Sequence, residues 1–237
     1  MINKLKKIVK KILYPKPDPA FSNAGEFNQA DGSIIENSIL KIGKNAKLTI
    51  EKGVKISGYI INVNSGELII KEGTILSQGN NALSPRIDIS GGQLIIGNNN
   101  HIKAEFCIRF GGKCSIGNYN CINENTEIRC DEEINIGDFN MISYECIIFD
   151  TNTHVMYPPE VRRKMTMKDF PSIGTEYEKP VTAPVKIGND CWLGKRAVLL
   201  KGSQLGNNSI VALCALVTKP VPENHIAFGN PAQVKPR

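Results

Sequence analysis

Ile187, Leu193, Leu199, Leu205, Val211 and Val217 fall one every six residues, and each is aliphatic. Cys191, Ala197, Ser203, Ser209 and Ala215 put a small residue four places after each of the first five. A period of six suits neither an amphipathic helix nor a simple two-faced sheet. It suits a chain wound into a triangular prism, where each side is a short strand plus a corner and sends one aliphatic into the lumen. Crowding near the corner accounts for the small residue. Burying each lumen aliphatic stabilises the coil by roughly 1.5 to 3 kcal/mol, and columns of them between coils make the core.

Upstream the spacing changes without losing phase. Ile50 and Ile70 are twenty apart, as are Ile96, Ile116 and Ile136, while Ile70 to Ile96 is twenty plus six. The Asn80-Asn81-Ala82-Leu83-Ser84-Pro85 segment is the expected bulge. Six-spacing recurs inside each unit, as in Ile96, Ile102 and Ile108, so these are three-sided coils with two extra residues at one corner. Gly111-Gly112-Lys113-Cys114 and Asp131-Glu132-Glu133 are two such corners. The fold class that follows is all-β, one parallel solenoid over residues 20–237.

After Ile148 the next inward position falls on His154. An imidazole in an apolar lumen is costly, so the chain is expected to leave the prism here. The frame resumes at Ile187, which makes 154–186 one long excursion, and so long a loop in a compact protein is more often a functional lid than an accident. It carries Pro158-Pro159, Arg162-Arg163-Lys164 and the apolar Met165, Met167, Phe170 and Ile173, which need a surface to cover. The approach to it reads as extended, so Asp150, Asn152 and His154 are expected to share one side.

Residues 1–13 read as a short helix with Ile2, Leu5, Ile8, Val9, Ile12 and Leu13 on one stripe and lysines elsewhere, ended by the prolines of 14–19. Peripheral contact with an anionic membrane and packing on the solenoid or on a partner subunit are both compatible with that pattern. Aromatics are only 6% of the chain, which fits a lumen too narrow for rings. The net charge of +6 comes without an aromatic-interleaved basic patch, so no nucleic acid is expected, and anionic ligands are the modest inference. Seven cysteines, an odd number with no CxxC, read as small core or corner residues in a reducing compartment. With no secretory or membrane-spanning run, the expected location is cytoplasmic, with the inner face of the membrane as a variant.

Lys179-Pro180-Val181, Val185 to Gly194, Val217-Thr218-Lys219 and Gly229-Asn230-Pro231-Ala232 resemble the left-handed parallel β-helix (hexapeptide-repeat) acyltransferases. The branch is that of maltose, galactoside and polysaccharide O-acetyltransferases. Left-handedness comes from this resemblance alone, since a crossover would otherwise be expected right-handed. The resemblance implies acetyl-CoA as donor, no metal, a homotrimer, and a site between subunits built on a histidine before the lid, here His154, as general base. It implies that Trp192 lines the donor groove, that backbone groups near Gly194 and Ala212 pair with pantetheine amides, and that Thr218 and Lys219 sit near CoA phosphates. Lys195 departs from the alanine or serine usual after that glycine.

Two residues carry open alternatives. Asp150 either orients the imidazole or caps the turn. Asn123, in an Asn-x-Asn stretch like that of the sugar acetyltransferases, either lies near the acceptor and the developing oxyanion or is a corner asparagine. The leading expectation is transfer of an acetyl group to a sugar hydroxyl, of a surface polysaccharide or its precursor. N-acetylation of an amino sugar or antibiotic shares the same donor groove. A metal enzyme of the γ-carbonic-anhydrase kind needs converging histidines, and His101, His154 and His225 lie in unrelated contexts. A structural solenoid without catalysis is the non-enzyme alternative.

Overall fold

The computed structural model describes residues 20–79, 84–172 and 174–237. The basic amphipathic stretch of 1–13, the linker up to residue 19 and residues 80–83 of the bulge lie outside the described residues, as does Ile173. Strands stack in parallel into three walls. Long strands, Ile39–Ile50, Ile60–Ile70, Arg86–Ile96 and Glu105–Ile116, run along the first wall, turn a loose corner and continue along the second. Register shifts between Ile42 and Asn45 and between Arg109 and Gly112 mark that corner. Stacked corners come so close there that a Cβ on Gly92 would lie 2.4 Å from the Gly112 carbonyl oxygen. Short strands make the third wall, among them Ile34–Glu36, His101–Ile102, Cys121–Ile122, Met141–Ile142, Trp192–Leu193, Ile210–Val211 and His225–Phe228. The final strand, Gln233–Pro236, folds back antiparallel on His225–Phe228.

The six-residue frame is the core. Ile96, Ile116, Ile136, Ile187 and Leu205 stand opposite one another in successive coils of the second wall. Ile102, Ile122, Ile142, Leu193 and Val211 do the same in the third. All are buried, and the strand spacing of about 4.8 Å puts each in contact with the next. The small residues Cys191, Ala197, Ser203, Ser209 and Ala215 are also buried, at the corners. In the middle coils one corner position is asparagine, and a ladder follows. The Asn100 side-chain oxygen accepts from the Asn120 amide at 2.8 Å, that of Asn120 from the Asn140 amide at 2.8 Å, and that of Asn140 from the Cys191 amide at 2.8 Å.

Two expectations need correction. The lumen does admit rings, for Tyr59 and Phe106 are fully buried. Tyr59 stands at the corner that the bulge after Ser77 departs from. Its ring reaches past that coil, and its hydroxyl donates to the carbonyls of Ile102 at 3.2 Å and Ala104 at 3.0 Å. The excursion also begins earlier than the frame implies. The first-wall strand Ile147–Phe149 is its last regular element and Val185–Ile187 resumes the second wall, so the departure spans 150–184. It leaves at the same loose corner that carries the extra residues in earlier coils. Among the described residues no helix is long and apolar enough to cross a membrane.

Burial of the Tyr59 phenol without its proton donor strands two carbonyl acceptors. Tyr59→Phe is therefore expected to lower unfolding stability by about 1 to 2 kcal/mol in urea denaturation.

Candidate active site

The excursion is pinched at its base. Thr151 bridges Thr182 antiparallel, the Asn152 amide donates to Val181 at 2.9 Å, and the Ala183 amide donates to Asp150 at 2.9 Å. Beyond this neck lies one helix, α1 (Pro159–Asp169), with Pro159 at its start where a missing N–H costs nothing. None of its residues is buried, and Met167 and Phe170 are 73% and 75% exposed, so these two apolar side chains have no cover within one protomer.

Asp150 faces inward and is fully buried. One of its carboxylate oxygens accepts from the Asp131 amide at 2.8 Å, the other from Glu132 and Glu133, each at 2.8 Å. Burial pushes its carboxyl above the ordinary carboxylate range while these amides pull the other way. Of the two readings of Asp150, the structure places it as the cap of the preceding corner. Nor do Asp150, Asn152 and His154 share a side. Thr153 takes a positive φ of 64°, which breaks the extended alternation and turns the chain outward.

That turn is clamped. Buried Asp131 holds Arg109 through two bonds, Nε to Oδ1 at 2.9 Å and a terminal nitrogen to Oδ2 at 2.7 Å. The same terminal nitrogen donates to the Thr153 carbonyl at 3.3 Å. The residue after Thr153 is thereby fixed in place. It is His154, half-exposed, and its Nδ1 meets a carboxylate oxygen of Glu176. The other oxygen of Glu176 accepts from the Val155 amide at 3.3 Å. Glu176, on the return limb of the lid, stands where the sequence reading offered Asp150. Nothing in the spacing announces it, because 22 residues and a helix separate it from the ring. Beside the pair, Val155, Tyr157, Arg162, Met165 and Thr166 line a cleft of about 30 Å³, too small for a sugar ring.

The other expected site residues lie elsewhere on the prism. Trp192 is 55% exposed on the outer face of the third wall, beside Met141 in register. Asn123 ends that wall, and its side-chain amide donates to the Ile142 carbonyl at 3.0 Å, a corner role. Thr218 and Lys219 are exposed just past the first-wall strand Leu216–Val217, at the same corner as the lid but in a later coil. At Gly194 and Ala212 the coil uses the residues' own backbone amides. The Gly194 amide donates to Val211 and the Ala212 amide to Ala227, each at 2.8 Å, while their carbonyls accept from the Ala197 amide at 3.1 Å and the Ala215 amide at 3.2 Å in the same turns. Lys195 is paired with Glu145 at 3.1 Å. In a triangular section the third wall lies opposite the corner that releases His154. One protomer therefore does not bring His154 together with Trp192 or Asn123.

Among the described residues no three metal-ligating side chains converge. His101 contacts the Ser77 hydroxyl at 3.0 Å and His225 the Glu223 carbonyl at 2.7 Å, both on the third wall and away from His154.

No family model matches the chain. A galactoside O-acetyltransferase of Lactococcus lactis is 35% identical over 89 residues, 38% of this chain and 36% of the relative. A galactoside O-acetyltransferase of Escherichia coli is 39% identical over 51 residues, 22% of this chain and 25% of the relative. Over these stretches the chain is similar to galactoside O-acetyltransferases. A 2,3,4,5-tetrahydropyridine-2,6-dicarboxylate N-acetyltransferase of Staphylococcus aureus is 42% identical over 57 residues, 24% of each chain. The matches thus span about a third or less of the curated relatives. Over its length the chain superposes on the polySia specific acetyltransferase NeuO with a TM-score of 0.58 at 21% identity, covering 90% of this chain and 80% of that one. That likeness establishes the left-handed β-helix fold.

Removing the Asp150 carboxylate leaves three corner amides without their acceptor. Asp150→Ala is expected to cost at least about 2 kcal/mol in denaturant unfolding, and Asp150→Asn, which keeps an acceptor oxygen, less.

Proposed function

We propose that this protein transfers the acetyl group of acetyl-CoA to a sugar hydroxyl, on a surface polysaccharide or its precursor, with His154 as general base. The observation that carries this reading is the imidazole delivered out of the lumen and held at Nδ1 by a carboxylate. A carboxylate accepts only, so a neutral ring carries its proton on Nδ1 and keeps a lone pair on Nε2. Nε2 takes the proton of the acceptor hydroxyl as that oxygen bonds to the thioester carbonyl carbon. As the carbon–sulfur bond breaks, the imidazolium returns the proton to the departing sulfur, so the ring ends as it began.

Trp192, Thr218 and Lys219 are exposed and so available to a donor, with the lysine suited to phosphate. The amides of Gly194 and Ala212 are engaged in the coil, so donor amides would be met by carbonyl oxygens at or near these residues. His154 and the third-wall residues face apart in one protomer, and Met167 and Phe170 are uncovered. Both facts favour a site completed by a neighbouring copy, as in a homotrimer, where the lid of one subunit reaches the third wall of the next. The acceptor then sits in that junction, since the small cleft within the lid has no room for it. The N-terminal stripe would suit peripheral attachment at the inner face of a membrane.

A second reading is N-acetylation, favoured by the match to the Staphylococcus aureus N-acetyltransferase. An ester product is labile to mild base and an amide is not, so mass spectrometry of the product after such treatment separates the two. Thiol release from acetyl-CoA in His154→Ala should fall by about 10²- to 10⁴-fold with calorimetric acetyl-CoA binding and oligomeric state retained. Full activity in that variant would reject His154 as the base.

A further inference from the structure

His154 is placed by backbone, but its ring is not. The clamp from Arg109 ends at the Thr153 carbonyl and leaves the side-chain torsions of His154 free. The ring's own restraint is Glu176, whose side chain is 10% exposed against 48% for the histidine. Its two oxygens divide the work, one on Nδ1 of the ring and one on the Val155 amide at 3.3 Å. The second bond matters to the first, because it ties the carboxylate to the backbone beside the very ring it holds. Other nearby acids are committed elsewhere, Asp150 to three corner amides and Asp131 to Arg109.

The position of Glu176 in the chain adds a consequence. It follows α1 on the returning limb, so it meets His154 only while the lid is folded back on its neck. With the lid displaced, the imidazole loses its acceptor at Nδ1, and its proton can move to either nitrogen as the ring turns. We propose that Glu176 is the positioning residue for His154, fixing the tautomer with Nε2 unprotonated and making the base competent only when the lid is closed. This assignment rests on the acetyl-transfer reading above. No bond is made or broken at Glu176, which acts through the ring and not on the substrate.

The test uses the full-length chain carrying Glu176→Ala, Glu176→Gln and Glu176→Asp beside His154→Ala. Steady-state kinetics with acetyl-CoA are read together with nitrogen-15 NMR of labelled histidine, the His154 resonances being assigned by their loss in His154→Ala. Glu176→Ala should lower kcat by about 100-fold, with KM for acetyl-CoA changed less than about twofold and the Nδ1–H tautomer signal lost. Glu176→Gln keeps the shape, but its amide N–H can face Nδ1 and drive the ring proton to Nε2. It should therefore lose kcat comparably while remaining folded, which covers the case of an unstable alanine variant. Glu176→Asp should recover part of the kcat and part of the signal. The proposal is overturned if kcat in Glu176→Gln matches wild type, or if every variant loses activity with the wild-type tautomer signal intact, which would make Glu176 a lid tether only. Wild-type activity in His154→Ala would instead overturn the acetyl-transfer reading itself, so the two failures are distinct.

Discussion

A chain that leaves a parallel coil must satisfy the backbone donors and acceptors of the corner it abandons, since a buried amide without a partner costs as much as a lost hydrogen bond. Here the first residue of the departure does this. Asp150 turns inward and its carboxylate collects the amides of Asp131, Glu132 and Glu133 in the coil before. Asp131, whose amide is one of those three, spends its own carboxylate on Arg109, and Arg109 reaches the Thr153 carbonyl. Exit corner, clamp and histidine are thus one hydrogen-bonded chain. The excursion can be long because its first four residues are overdetermined.

The choice of corner follows from the same constraint. The other two corners are closed by buried Cys191, Ala197, Ser209 and Ala215 or by the asparagine ladder, both of which require each coil to follow the last in register. The corner between the first and second walls is looser. It already tolerates the register shift between Arg109 and Gly112. An insertion there disturbs no ladder of side chains. The lumen closes again behind it, with Ile134 opposite Val185 and Ile136 opposite Ile187.

This explains which parts of the molecule could be read from residues. The lumen columns depend on a repeated apolar position, and repetition survives in one dimension. Ile187, Leu193 and their successors therefore announced both period and burial, and the misfit of His154 in that frame announced a departure. Side-chain partners across the neck do not repeat. Glu176 meets His154 because Thr151 pairs with Thr182, a pairing set by three-dimensional closure and by no local pattern. Asp150 looked like the natural orienting acid because an extended chain would have placed it beside the ring, and the left-handed Thr153 removes that possibility. Tyr59 was missed for a related reason. Aromatic content is an average, whereas one bulged corner makes room for one ring.

The separation of His154 from the third wall then bears on how the fold is used. A solenoid wall is flat and periodic, which suits a long donor laid along successive coils, but it offers no depth in which to exclude water from a reacting thioester. A lid supplies depth only where it meets a second surface. The lid here carries uncovered Met167, on a helix with no buried residue, and Phe170 just past it, and the third wall carries an uncovered Trp192 and Met141. Two exposed apolar surfaces on opposite sides of one prism cannot cover each other. On adjacent copies related by rotation they can, and that arrangement would enclose His154 at the moment Glu176 holds its ring.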